Sequence, residues 1–163
     1  MPSVRIYAII PNMKNVIITI KGLQDASPGQ VDTAEAIELI TSGEYSHLGR
    51  ESVLSYLESE MTGMEGTRTT FRASPERVTL TREGTLNTQM IFEQGKKHRF
   101  LYETPYGATS LGVDTRRLTC GFGEDGGEME IDYTIDVDSV VVSENSFIIS
   151  VRASGSDRAI PCA

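Results

Sequence analysis

Apolar and polar residues alternate with a period of two along most of this chain. The clearest stretch is EMEIDYTIDV. Met129, Ile131, Tyr133, Ile135 and Val137 fall on one side of it, and Glu128, Glu130, Asp132, Thr134 and Asp136 on the other. A segment of this kind has one dry face and one wet face, as in an antiparallel sheet laid over a core. The same period predicts strands at 15–24, 52–61, 66–73, 77–83, 87–94, 98–104, 108–122 and 146–154. The segment 34–45 has helix-forming composition, but Thr41, Ser42 and Gly43 would end a helix within two turns, and it too reads as extended.

Between these segments lie turn residues: Gly63-Met64-Glu65-Gly66, Ser74-Pro75-Glu76, Glu83-Gly84, Gln94-Gly95-Lys96, Pro105-Tyr106-Gly107, Asp125-Gly126-Gly127 and Glu144-Asn145. A longer loop runs from Gly22 to Gly29. Short joints put consecutive strands side by side and antiparallel, which is an up-and-down meander. A sheet of about 8–10 strands tends to curl and close, and closure removes its exposed edges. The expected fold is all-β, a barrel in preference to a sandwich.

The chain has 163 residues, 39% hydrophobic and 23% charged, which suits one soluble domain with a real core. That domain is expected at 13–154. Residues 1–12 read as a disordered or misassigned extension with Met13 as the true start, and 155–163 as a loose tail. No apolar run approaches the roughly 18 residues of a membrane helix. The formal net charge is −8, which repels phosphate backbones, so no nucleic-acid partner and no membrane are expected. The basic residues are scattered, the longest clusters being Lys96-Lys97-His98-Arg99 and Arg116-Arg117. Two cysteines, Cys120 and Cys162, make neither a disulfide framework nor a zinc site, and a reducing cytoplasm is the simplest home.

Several segments taken together carry a likeness. MKNVIITIKGLQ (13–24), YLESEMTGMEGTRTTF (56–71), VTLTREG (78–84), MIFEQGKKHRFLYETPYGATSLGV (90–113) and MEIDYTI (129–135), in this order and spacing, resemble the bacterial YwiB-like family, a domain of unknown function. The resemblance covers about 13–153. It implies a calycin-like β-barrel, in the structural company of lipocalins and fatty-acid-binding proteins. It implies no reaction and no site residues, and fold analogy alone does not assign a ligand.

Candidate chemistry is sparse. The two histidines, His47 and His98, lie in no metal or nucleophile pattern and read as surface residues. GFGEDGG (121–127) reads as a hairpin loop, since its two acids would repel a phosphate. No cofactor or metal is expected. Glu58 and Glu60, two apart on the expected strand, would share a face roughly 7 Å apart. A solvated strand face gives the same pattern. Tyr56 shares that face, and if it is interior the carboxylates need a cation. Arg82 is in phase with Val78 and Leu80, so it aims inward near a strand end. There it suits a carboxylate or phosphate ligand, or pairs internally with Glu58 or Glu60. Tyr106 sits between a proline and a glycine that already explain a turn, and as a large amphipathic residue it would plug a barrel end.

The leading expectation is a non-enzymatic barrel binding a small, partly apolar anionic ligand. Arg82 would anchor the charge, Tyr102 and Tyr106 would flank it, Met90 and Phe92 would line the wall, and Glu58 and Glu60 would lie nearby. The alternative is a filled barrel serving as a scaffold, with a protein partner or a second copy joined through a strand edge. The third is a hydrolase using Glu58 and Glu60.

Overall fold

Turn chemistry sets the order of the strands. The computed structural model describes residues 13–25, 35–85, 87–104 and 106–154. The expected extension at 1–12 and the tail at 155–163 lie outside the described residues. Ten strands follow one another: β1 (Lys14–Asp25), β2 (Glu35–Leu48), β3 (Glu51–Leu57), β4 (Arg68–Ala73), β5 (Arg77–Glu83), β6 (Thr88–Glu93), β7 (Lys97–Thr104), β8 (Gly107–Cys120), β9 (Gly127–Val137) and β10 (Val140–Ala153). They form one antiparallel sheet in the order β6-β5-β4-β3-β2-β1-β10-β9-β8-β7. Among the described residues the only helical element is a 3₁₀ turn at Glu60–Thr62.

The two ends of this order, β6 and β7, are consecutive in the chain, so the turn at 94–96 draws the sheet round on itself. Gly95 N donates to Thr115 O at 2.9 Å, Thr115 N donates to Lys96 O at 3.3 Å, and Thr88 Oγ1 donates to Leu101 O at 3.4 Å. The result is a nearly closed barrel, the all-β meander that the alternation predicts.

Two joints show how local conformation fixes the pairing. Leu48 faces Glu51 across the two residues Gly49-Arg50, and Gly49 has φ 66°. A positive φ at the first loop position is what a tight hairpin needs, and glycine takes it without strain. The second joint differs from expectation. The strand predicted at 146–154 begins six residues earlier, at Val140, and the turn is Asp138-Ser139 instead of Glu144-Asn145. Both turn residues have positive φ, 52° and 68°, the conformation of a two-residue hairpin loop whose twist matches its strands. The β-branched run Val140–Val142 then continues as strand. Elsewhere Gly84 is held against the chain before β4, where a Cβ would collide with Gly66 O.

Inward positions make one core. Ile18, Phe92, Val113, Met129, Ile131 and Ile149 are fully buried. Phe92, Tyr133 and Phe147 meet edge to face, with ring centroids 4.9 Å apart for Phe92–Tyr133, 5.9 Å for Tyr133–Phe147 and 6.0 Å for Phe92–Phe147. Phe71 joins this group against Phe147 at 6.2 Å. At the end where β2 turns into β3, Tyr45 packs on Phe122 at 5.8 Å, and its hydroxyl donates to Gly123 O. Tyr45 thereby ties β2 to the loop before β9.

One buried carboxylate stands outside the core. Asp136, 1% exposed, lies opposite Gly112 on β8, where no side chain intervenes. Its carboxylate takes Lys97 Nζ at 2.8 Å and the Ser139 N–H at 3.2 Å. Hydrogen bonding to Lys97 holds its carboxyl below the usual aspartate range, against the opposing effect of desolvation.

Two outcomes follow. Phe92→Ala should lower the unfolding free energy by about 3–5 kcal/mol, the usual cost of emptying a packed aromatic site, read from urea titration with an unchanged slope. Because the folded pKa of Asp136 lies below its unfolded value, its stabilisation is complete above the unfolded pKa and is lost as pH falls toward the folded one. Asp136→Asn should therefore cost most near pH 7, and the gap from the parent should narrow steadily below about pH 4. A gap independent of pH would show that the carboxylate's charge does not matter.

Candidate functional site

Four in-register strands carry a polar row into the barrel. Tyr56 of β3 lies opposite Thr69 of β4, and Thr69 lies opposite Arg82 of β5, which in turn faces Thr88 of β6. Residues directly opposite one another share a face of the sheet. Tyr56 and Thr69 are buried, and Val78 and Leu80, which share the phase of Arg82, are core residues, so this face is interior. Arg82 is thus carried inward as its phase predicts, and its Nε is buried with no hydrogen-bond partner. Among the described residues no carboxylate lies within 4.0 Å of its guanidinium nitrogens.

Glu58 enters the same space on the face of Tyr56, as expected, but Glu60 does not. The strand predicted at 52–61 stops at Leu57. Ser59 then accepts the Met61 N–H at 3.2 Å and starts the 3₁₀ turn, which Gly63 ends with φ 77°. This local capping breaks the alternation, so Glu58 and Glu60 do not share a strand face. Glu60 is exposed in the first turn, while Glu58 is buried. Glu58 N–H donates to Thr67 O at 2.8 Å, and the carboxylate accepts from Thr62 Oγ1 at 2.9 Å and from Thr69 Oγ1.

The electrostatics place Arg82 among phenols. Burial pushes the Tyr56 hydroxyl well above its ordinary pKa, the Glu58 charge adds to this, and Arg82 opposes it. Tyr133 is pushed up to about 12 by burial, again with Arg82 pulling the other way. Both phenols are therefore neutral at physiological pH. The Tyr56 hydroxyl is already hydrogen-bonded to Glu58 and Thr69. An acceptor placed here would meet the Arg82 guanidinium, with the Tyr133 hydroxyl near it, a donor set whose chemistry suits an anion.

The remaining predicted residues separate into two groups. Met90 and Phe92 are buried in the wall, on the strand that pairs with β5. Tyr102 and Tyr106 are at the β7–β8 hairpin, 40% and 99% exposed, and neither packs into the core. Pro105 lies outside the described residues. His47 Nδ1 is 2.8 Å from Ser52 Oγ, and Ser52 Oγ is 3.1 Å from the Tyr45 hydroxyl, a polar staple at the far end of the barrel. His98 lies 3.0 Å from Glu93, which also binds Arg77 at 3.0 Å and Lys96 at 3.2 Å. Hydrogen bonds from His98, then Arg77 and Lys96, hold the Glu93 carboxyl down to about 2. The basic cluster at 96–99 therefore faces carboxylates of its own chain.

Sequence reasoning missed Thr62 and Thr69, because nothing in a threonine's own neighbourhood shows which carboxylate it will face. Two surface depressions also escaped it. One of about 420 Å³ lies on β1, β2 and β10, with Lys21, Leu23, Ala36, Glu38 and Ile148 in its lining. The other, of about 510 Å³, lies where β2 and β3 part, beside Ser42, Ser55 and Arg68. Neither is lined by Arg82.

Comparison with known proteins agrees with this architecture. A crystal structure of the ywiB protein from Bacillus subtilis superposes with a TM-score of 0.74 at 20% identity, covering 87% of this chain and 93% of that one. The likeness is one of fold. No curated protein matches the sequence. Residues 18–149 match the family described as domain of unknown function DUF1934, and the chain belongs to that family.

Proposed function

We propose that this protein is a non-enzymatic, cytoplasmic barrel that binds a small, partly apolar anion at Arg82. The observation that carries the reading is the buried Arg82 Nε without a hydrogen-bond partner, beside the neutral phenols of Tyr56 and Tyr133. Leaving a buried donor unsatisfied costs about 1–3 kcal/mol. A carboxylate, sulfonate or phosphate head would satisfy it. Glu58 is already engaged by Thr62 and Thr69, which leaves the guanidinium edge to an incoming acceptor. The apolar part of the ligand would rest on the aromatic cluster and on Met90. Tyr102 and Tyr106 would act only at the rim.

The second reading, an interaction module, is favoured by the apolar side chains that β2 leaves exposed, Ile37 and Ile40. The carboxylate hydrolase is not proposed, since Glu58 is buried and Glu60 lies in solvent.

Native mass spectrometry of protein purified gently from its own cells should show an adduct of defined mass. Arg82→Gln should weaken its retention by about 10–100-fold, as expected for losing a charged hydrogen bond. Arg68→Gln, on the outer face, should retain it. An adduct held equally by Arg82→Gln, with circular dichroism showing the variant folded, would sink the assignment.

A further inference from the structure

Strand β2 is 14 residues long and its neighbour β3 is 7. Pairing between them covers only Glu44 to Leu48, whereas β1 pairs with β2 from Glu35 to Tyr45. Among the described residues nothing pairs with 36–43 on the side away from β1. Ile37 and Ile40 point to opposite faces of the strand, and both are uncovered, 56% and 63% exposed. A long exposed edge with apolar residues on both faces is a template for another strand.

The hairpin shows which backbone groups are free. Leu48 and Glu51 flank a two-residue loop and so exchange both hydrogen bonds. Bonding then alternates along β2, so Ser46 and Glu44 also bond toward β3. The β1–β2 register runs without a shift from Tyr45 to Glu35. The N–H and C=O groups of Ala36, Glu38, Ile40 and Ser42 therefore point to the open edge, and those of Ile37, Leu39 and Thr41 point to β1.

We propose that the occupant is a second copy of this chain, paired antiparallel through β2 about a twofold axis at Leu39. This rests on the interaction reading and not on Arg82. Self-pairing allows few centres. An axis at Glu38 sets like charges directly opposite, which is destabilising. An axis at Ile40 carries the second copy to Gly43, where β3 already packs. An axis at Leu39 uses residues 36–42 in full and sets Leu39 against Leu39 and Ile37 against Thr41. Glu38 then falls against Ile40 of the second copy. That Ile40 comes down on the face carrying the 420 Å³ depression, beside Ala36 and Leu23. Charge favours the same place. The chain carries −8 overall, yet residues 36–43 hold a single charge, Glu38, directly across the ladder from Lys21. Repulsion between copies is weakest there. A twofold contact is isologous, so the assembly closes as a dimer.

Sedimentation equilibrium of the full chain should give twice the chain mass. Ile40→Pro removes one N–H from the open edge and none from the β1 ladder, so it should give a folded monomer. Leu39→Cys should form a reducible dimer under mild oxidation, because directly opposed residues of a non-hydrogen-bonded pair sit about 4.5 Å apart. Ile37→Cys should not, its symmetry mate lying roughly 13 Å along the strand. A monomeric parent, or a dimer that survives Ile40→Pro in a folded protein, would overturn the proposal. So would crosslinking of Ile37→Cys in preference to Leu39→Cys. None of these readouts involves a ligand, so their failure is distinct from failure of the Arg82 reading.

Discussion

Along each unbroken stretch of strand one parity of residues must face inward, because side chains alternate sides and a slip of a single residue would turn the dry face to water. Strand β8 passes from Val113 and Thr115 to Leu118 only through the register shift between Thr115 and Arg117. Phe92 on β6, Tyr133 on β9 and Phe147 on β10 can meet only if three separate registers are right together. The short turns enforce this locally. Gly49-Arg50 and Asp138-Ser139 leave no slack in which a strand could shift. Core burial and turn geometry thus agree on one pairing, and the barrel follows from that agreement.

The same parity brings a charge inside. Once Val78 and Leu80 face the core, Arg82 has to face it as well, and so does Tyr56 once β3 is in register with β4. A charge so placed is costly unless it is paired or put to use. The neighbouring strands surround it with hydroxyls and phenols and leave its Nε unbonded. Glu58 keeps the inward phase of Tyr56, its N–H still bonded to Thr67 O, and the 3₁₀ turn that follows carries Glu60 away and brings Thr62 onto the Glu58 carboxylate. The candidate site is therefore a product of strands that keep their pattern and of the turn that ends one of them.

Closure is incomplete for a related reason. Neighbouring strands in this sheet have unequal lengths, and where a long strand outlasts a short one its backbone is left without a partner. At β2 and β3 this leaves an open edge carrying isoleucines, which a filled core cannot cover. The proposed ligand site within the barrel and the proposed pairing along its edge use different parts of the sheet and can coexist.

The alternation in EMEIDYTIDV, the turn residues between strands and the inward phase of Arg82 were legible in the sequence alone, because period and turn chemistry are local properties of the chain. The likeness to a family of unknown function was legible too, through segments in a shared order. The end of β3 was not, since the Ser59 cap and the left-handed Gly63 compete with an unbroken alternating pattern and win. Nor was the start of β10, where Asp138 and Ser139 take positive φ without a glycine to announce it. Only the tertiary structure could bring Thr69 to Glu58, set Tyr133 near Arg82, or leave one side of β2 open. Those depend on which strands become neighbours and how far each runs past the next, and no single stretch of sequence contains that.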